Sequence, residues 1–382
     1  MTVSAVGTRR AYLDWLRGLA VIVMIEAHTI DAWTRAADRN TALFGDLRIL
    51  GGFAAPLFLW LAGLGVVMAA SRRAFHSGNR TSALEAGCRR GLEIFVLAFL
   101  FRLQAFVVSP GGHPISIFRV DVLNVMGPAM VAAVLIWFLI PRALWLVVSY
   151  SVLAALVSMT TPLVRAASWV GTLPVWVQWY VRPTGEYTTF TLFPWAGFVF
   201  AGAAAGVLLA SPLGRAADNR FRGAWMTGGV ALVALGWYLA ASGPSVYSVP
   251  VSFWTSSPTW FAIRVGILMI ALVVMSLIPE RHEATASRKP DSVLRAAMLS
   301  WQKPLATLGR ASLFVYWIHV ELVYGYASWF WRQRLPVWGS VLAWLAFSAC
   351  MYQVVLIRDR FLAGRAARFP PRQRVAGVES VA

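Results

Sequence analysis

Apolar runs of about twenty residues recur along the whole chain, separated by short stretches rich in Arg, Gly, Pro and Ser. About twenty residues at a rise of about 1.5 Å each span a hydrocarbon layer of about 30 Å. The runs fall at roughly 13–32, 50–70, 91–108, 121–140, 143–160, 191–210, 225–242, 260–278, 304–325 and 337–357. No period-2 alternation competes with them, and in lipid a lone segment must satisfy its own backbone. The pattern predicts an all-α, polytopic helical bundle of about ten spans. One membrane domain covers 1–382, with a polar tail over 358–382. The longest breaks are predicted at 161–190 and 279–303, the second a polar linker with a short helix. The first holds Trp169, Trp176, Trp179, Tyr180 and Tyr187. These form either an interfacial aromatic belt or a lid over a site.

Composition agrees. Of 382 residues, 59% are hydrophobic, and mean hydropathy is +0.65. The net charge of +18 would suggest nucleic acid in a soluble protein. Here most Arg and Lys fall in alternate short loops, which sets topology rather than a nucleic-acid partner. An even number of spans and this bias place both termini in the cytoplasm of a bacterial-type inner membrane, with the lipid bilayer as partner. Arg9 and Arg10 precede an apolar run, as in a signal peptide. That run carries charges and is followed by further spans, so it reads as a retained first helix. Cys88 and Cys350 give neither a disulfide framework nor metal-ligand spacing, so no metal is expected.

The first run is chemically unusual. It contains Asp14, Arg17, Glu26, His28 and Asp31. Arg17 and His28 are eleven residues apart, which returns to the same helix face after a rise of about 16 Å. Asp14 and Asp31 extend that face into one polar stripe, while Glu26 falls opposite and needs another partner. Such a stripe should face protein or a watery cavity. Of five histidines, His76, His113 and His282 fall in loops, and only His28 and His319 lie inside spans. Ser312, Tyr316 and His319 share a face of the ninth span. Counting from the span starts puts both histidines at one depth, which predicts a single site. Arg102, Asp121, Arg264 and Glu321 are further costly charges in or beside spans, and the sequence does not pair them.

"LDWLRGLAVIVMIEAH", "GGFAAPLFLWLAGLGVVMAASRR", "DVLNVMGPAM", "FPWAGFVFAGAAAG" and "LGRASLFVYWIH" occur in this order. Together they resemble the transmembrane acyltransferases, most of all bacterial relatives of the heparan-α-glucosaminide N-acetyltransferase catalytic domain. Asn124-Val125 departs from the family's more frequent Gln-Arg. The resemblance implies a cytoplasmic acyl-CoA donor, usually acetyl-CoA, and a carbohydrate or glycoconjugate acceptor on the outer side. It implies N- or O-acyl transfer across the membrane within one bundle. The lysosomal enzyme carries a catalytic histidine in the loop after the first span. The corresponding loop here, "TRAADRNTALFGDLR", has none, so if a histidine is the base it is His28 or His319.

Acyl transfer needs a base, an oxyanion stabiliser and a held thioester. His28 is the expected base, with Asp31 either orienting its ring or serving as a helix-end acid. His319, Tyr316 and Ser312 are candidate hydrogen-bond donors, Ser312 alternatively a small packing residue. Arg17 is placed to grip the CoA donor. Asp121 and Asn124 are candidates for acceptor contact, and Arg264 for an anion or acceptor clamp. Arg72, Arg73, Arg89 and Arg90 either set topology or meet nucleotide phosphates. No Ser or Cys reads as an activated nucleophile, which favours direct transfer. Two other functions fit the same charges: a proton-coupled transporter, though no inverted repeat is visible, and an inactive relative kept as a scaffold.

Overall fold

The computed structural model describes residues 10–108, 113–211, 219–242, 246–279 and 300–368. Arg9, His282, most of the 279–303 linker and the tail from 369 lie outside these residues. Among the described residues the chain is almost entirely helical, with two isolated bridges and no strand. Eight stretches are long and apolar enough to cross a membrane by length and composition. The protein is an integral membrane helical protein.

The helix α1 (Ala11–Trp33) runs through the middle of the bundle. Leu16, Ala20, Val21 and Ile25 on it are fully buried. A short α2 (Ala42–Gly51) follows, begun by Thr41, whose hydroxyl accepts from the Phe44 amide at 3.3 Å. The sequence reading has no helix there, because ten residues are too few to read as a span. α3 (Ala54–Ser77) starts three residues later, and α4 (Arg80–Val108) returns antiparallel to it. α5 (Val122–Leu139) opens on a capping box: Asp121 accepts from the Val122 amide, and Asn124 accepts from the Asp121 amide. α6 (Ala143–Ala166), a short α7 (Val175–Val181) and α8 (Leu192–Ala210) complete the next part. Within the 161–190 segment Trp179 is buried and stacks on Tyr187, while Trp169 and Trp176 are exposed.

α9 (Asn219–Ser242) pairs with α10 (Pro258–Leu277), which Ser257 caps. The ninth predicted span is two helices. α11 (Gln302–Arg310) ends at Ala311, where φ −99° and ψ 13° leave the helical region, and α12 (Ser312–Tyr324) resumes beyond it. α13 (Val337–Arg368) closes the chain.

Close helix contacts are made by glycine. A Cβ on Gly63 would lie 1.9 Å from the Val199 carbonyl oxygen, and one on Gly202 1.9 Å from that of Trp60. So α3 and α8 meet backbone to backbone, as small residues permit where no water drives association. Gly18 and Gly309 do the same between α1 and α11, against the Leu305 and Asp14 carbonyls. These contacts fix α1, with its charges, against the helices that carry the remaining polar groups.

Candidate functional site

The two histidines of the spans do meet. The rings of His28 on α1 and His319 on α12 have centroids 5.2 Å apart. His319 is fully buried, and its Nδ1 lies 2.8 Å from the Val315 carbonyl oxygen. A carbonyl only accepts, so Nδ1 carries the proton, and Nε2 of His319 has no partner among the described residues.

His28 is held by a chain of hydrogen bonds. Its Nδ1 lies 3.2 Å from the Tyr324 hydroxyl, which donates at 3.2 Å to Oδ2 of Asp31. A phenol has one proton. Given to Asp31, it leaves the Tyr324 oxygen to accept from a protonated Nδ1. That tautomer puts the lone pair of His28 on Nε2. Asp31 and His28 are therefore joined through Tyr324 rather than directly. Arg39 completes the arrangement, 3.8 Å from Asp31 Oδ1 and hydrogen-bonded to the Asp31 carbonyl oxygen. Sequence reasoning missed Tyr324. The signal was its depth: it lies past His319 toward the same helix end as Asp31 lies past His28.

Beside the histidines, Asp121 is saturated. Oδ1 accepts from the Val122 amide at 2.7 Å, and Oδ2 accepts from Arg102 at 2.6 Å and from the Tyr316 hydroxyl at 3.3 Å. Asn124 is likewise engaged, accepting from the Asp121 amide and donating to Tyr180. Both expected acceptor contacts thus also hold the start of α5. Arg264 donates to the Gly52 carbonyl oxygen at 2.9 Å, its guanidinium 4.3 Å from the Phe53 ring centroid and 4.6 Å from that of Trp260. It fastens the α2–α3 turn.

Two cavities flank this centre. One, about 770 Å³, is lined by His28, Asp31, Arg102, Asp121, Tyr316 and Tyr324 among others. The other, about 580 Å³, lies toward the N-terminal half of α1 and includes Arg17, Arg73, Arg90, Arg310 and Ser312. Arg17 is 3.6 Å from Asp14 and half-exposed. Phe58, Val122 and Tyr316 line both cavities, so the two meet at those three side chains. Ser312 is on the Arg17 side, and Tyr316 is at the junction. Of Arg72, Arg73, Arg89 and Arg90, the second and fourth reach the cavity. Among the described residues no group of three or more His, Cys, Asp or Glu is placed to hold a metal.

An integral membrane helical protein with a buried polar centre is the class that this bundle defines. Residues 9–239, more than half of the chain, match the family described as heparan-alpha-glucosaminide N-acetyltransferase, catalytic, and the chain belongs to that family. No curated protein matches it. The family makes the protein a transferase, and its name points to acetyl transfer at a membrane.

Proposed function

We propose that the protein moves an acyl group, acetyl foremost, from cytoplasmic acyl-CoA to a sugar-like acceptor held in the His28 cavity. The observation that carries this reading is the pair of cavities meeting at Phe58, Val122 and Tyr316, one rich in arginine and the other holding His28. Arg17, Arg73, Arg90 and Arg310 suit the phosphates of CoA, and the apolar wall suits its pantetheine arm. The same arginines suit the positive-inside rule, which supports assigning this cavity and both termini to the cytoplasmic side of the inner membrane.

In the reaction, His28 Nε2 takes the proton of the acceptor hydroxyl or amine as that atom attacks the thioester carbonyl carbon. Tyr324 and Asp31 hold the ring and stabilise the imidazolium, as the carboxylate does in a hydrolase triad. Tyr316, at the junction, is placed to donate to the developing oxyanion once its bond to Asp121 yields. When the C–S bond breaks, His28 returns its proton to the thiolate. The products are the acylated acceptor and free CoA. No covalent acyl-enzyme is required.

The test is radiolabelled acetyl transfer by purified protein. His28→Ala should lower turnover about 10²–10⁴-fold while protein yield is kept. Arg17→Ala should raise the donor KM about tenfold at similar kcat. Full turnover in His28→Ala would remove the proposed base.

A further inference from the structure

Glu26 takes no part in the steps above. It lies on α1 two residues before His28, is 0% exposed, and lines the same 770 Å³ cavity. Neither carboxylate oxygen has a hydrogen-bond partner among the described residues. The other acids of the site differ. Asp31 accepts from Tyr324 and faces Arg39, and Asp121 accepts from Arg102 and Tyr316. Arg48 lines the cavity too, without bonding Glu26.

The local backbone sharpens the point. A Cβ on Gly51 would come within 2.7 Å of Glu26 Oε2, so glycine at 51 leaves the room this carboxylate occupies. Gly51 is also the last residue of α2, where unpaired carbonyls give the helix its partial negative charge. Arg264 answers part of that charge through the Gly52 carbonyl. A carboxylate beside it, buried and unbonded, is costly, so this side chain stays neutral or meets a donor that arrives from outside the chain. The cavity is the route by which one can arrive.

We propose that Glu26 is the specificity-determining contact for the acceptor. Its carboxylate accepts hydrogen bonds from N–H or O–H groups of the acceptor away from the group that reacts at His28. Two residues along a helix turn by about 200°, so Glu26 and His28 leave α1 on opposite faces, and the cavity that both line lets them serve separate groups of one molecule. The acceptor class is then a compound with donors at more than one position, an amino sugar or a polyol, rather than a simple alcohol. This inference rests on the acyl-transfer reading.

The experiment uses full-length wild type and Glu26→Gln in detergent, with glucosamine and glucose as probes. The two differ in one group, ammonium against hydroxyl. Acceptor KM and probe-induced thermal stabilisation are both measured. Glu26→Gln should raise the acceptor KM at least about tenfold and abolish stabilisation by the probe. The acetyl-CoA KM should stay at the wild-type value, which also reports an intact fold. A larger penalty for glucosamine identifies an ammonium at Glu26, and equal penalties identify hydroxyls. Unchanged acceptor KM for both sugars overturns the proposal while leaving acyl transfer standing. If the wild type consumes no acetyl-CoA, the acyl-transfer reading fails instead, and stabilisation decides Glu26 alone. Stabilisation lost in Glu26→Gln supports the contact. Equal stabilisation of both proteins, or none of the wild type, overturns it.

Discussion

A single phenol decides how His28 is oriented. The Tyr324 hydroxyl stands between Nδ1 and Asp31, so its loss frees the ring and leaves Asp31 to Arg39. Tyr324→Phe should therefore cut kcat about tenfold or more with donor and acceptor KM little changed. Asp31→Asn should show a similar loss, and the double variant should cost little more than either alone, because the two act as one unit. Steady-state kinetics on the three proteins checks this, and additive losses would argue against the relay. The histidine pair was legible in the sequence because helix rise alone sets depth. Tyr324 was not, since angular position on α12 does not show which groups a neighbouring helix brings near. The pairing of Arg102 with Asp121 was hidden for the same reason: the partners lie on different helices.

Elements succeed here through small residues and caps. Gly202 leaves 1.9 Å between a would-be Cβ and the Trp60 carbonyl oxygen, whereas Gly223 on α9 faces open space. Gly202→Leu should lower stability by about 1–3 kcal/mol or more and shift the melting temperature in detergent, while Gly223→Ala leaves it unchanged. A second element-level device lies between α1 and α2. Asp38 Oδ2 accepts from the Val337 amide at 2.9 Å and Oδ1 from Arg35 at 2.9 Å, tying that loop to the start of α13. The amide of Val337, then Arg35, holds its carboxyl below the usual carboxylate range. A depressed value means the stabilisation is present above the unfolded value near 3.9 and disappears as pH falls through the folded one. Melting temperatures of wild type and Asp38→Asn should differ at neutral pH and converge below about pH 4. Differences that persist in acid would assign the loop's anchoring to something else. Span positions followed from apolar runs, but the interruption at Ala311 did not. "LGRASLF" carries no proline there, and α11 is packed on α1 through Gly309 just before the break, a tertiary contact that local propensity does not report.

At the scale of the molecule, the proposed transfer uses two cavities that meet at Phe58, Val122 and Tyr316. In sealed vesicles, acetyl-CoA offered on the cytoplasmic face should support turnover and the same donor on the outer face should not. The acylated acceptor should appear on the outer face. Turnover from either face would contradict the assignment of the Arg17 cavity to the donor. Basic residues in the loops are the source of the expected polarity. The cavities themselves are shaped by side chains from many helices and left no trace in the apolar pattern. Their junction has an electrical consequence. With water in both cavities, the membrane voltage would fall mainly across the layer of Phe58, Val122 and Tyr316 that lines both. Carrying a unit charge through that layer would cost or release about 2.3 kcal/mol per 100 mV. In the proposed reaction the acyl group leaves its bonding pair on sulfur as it moves one way, and the proton that His28 borrows moves the other way to that thiolate, so no net charge crosses. The reaction would then run at the same rate in an energised cell as in a depolarised one, and a large molecule's negative charge would never have to leave the side on which it is made.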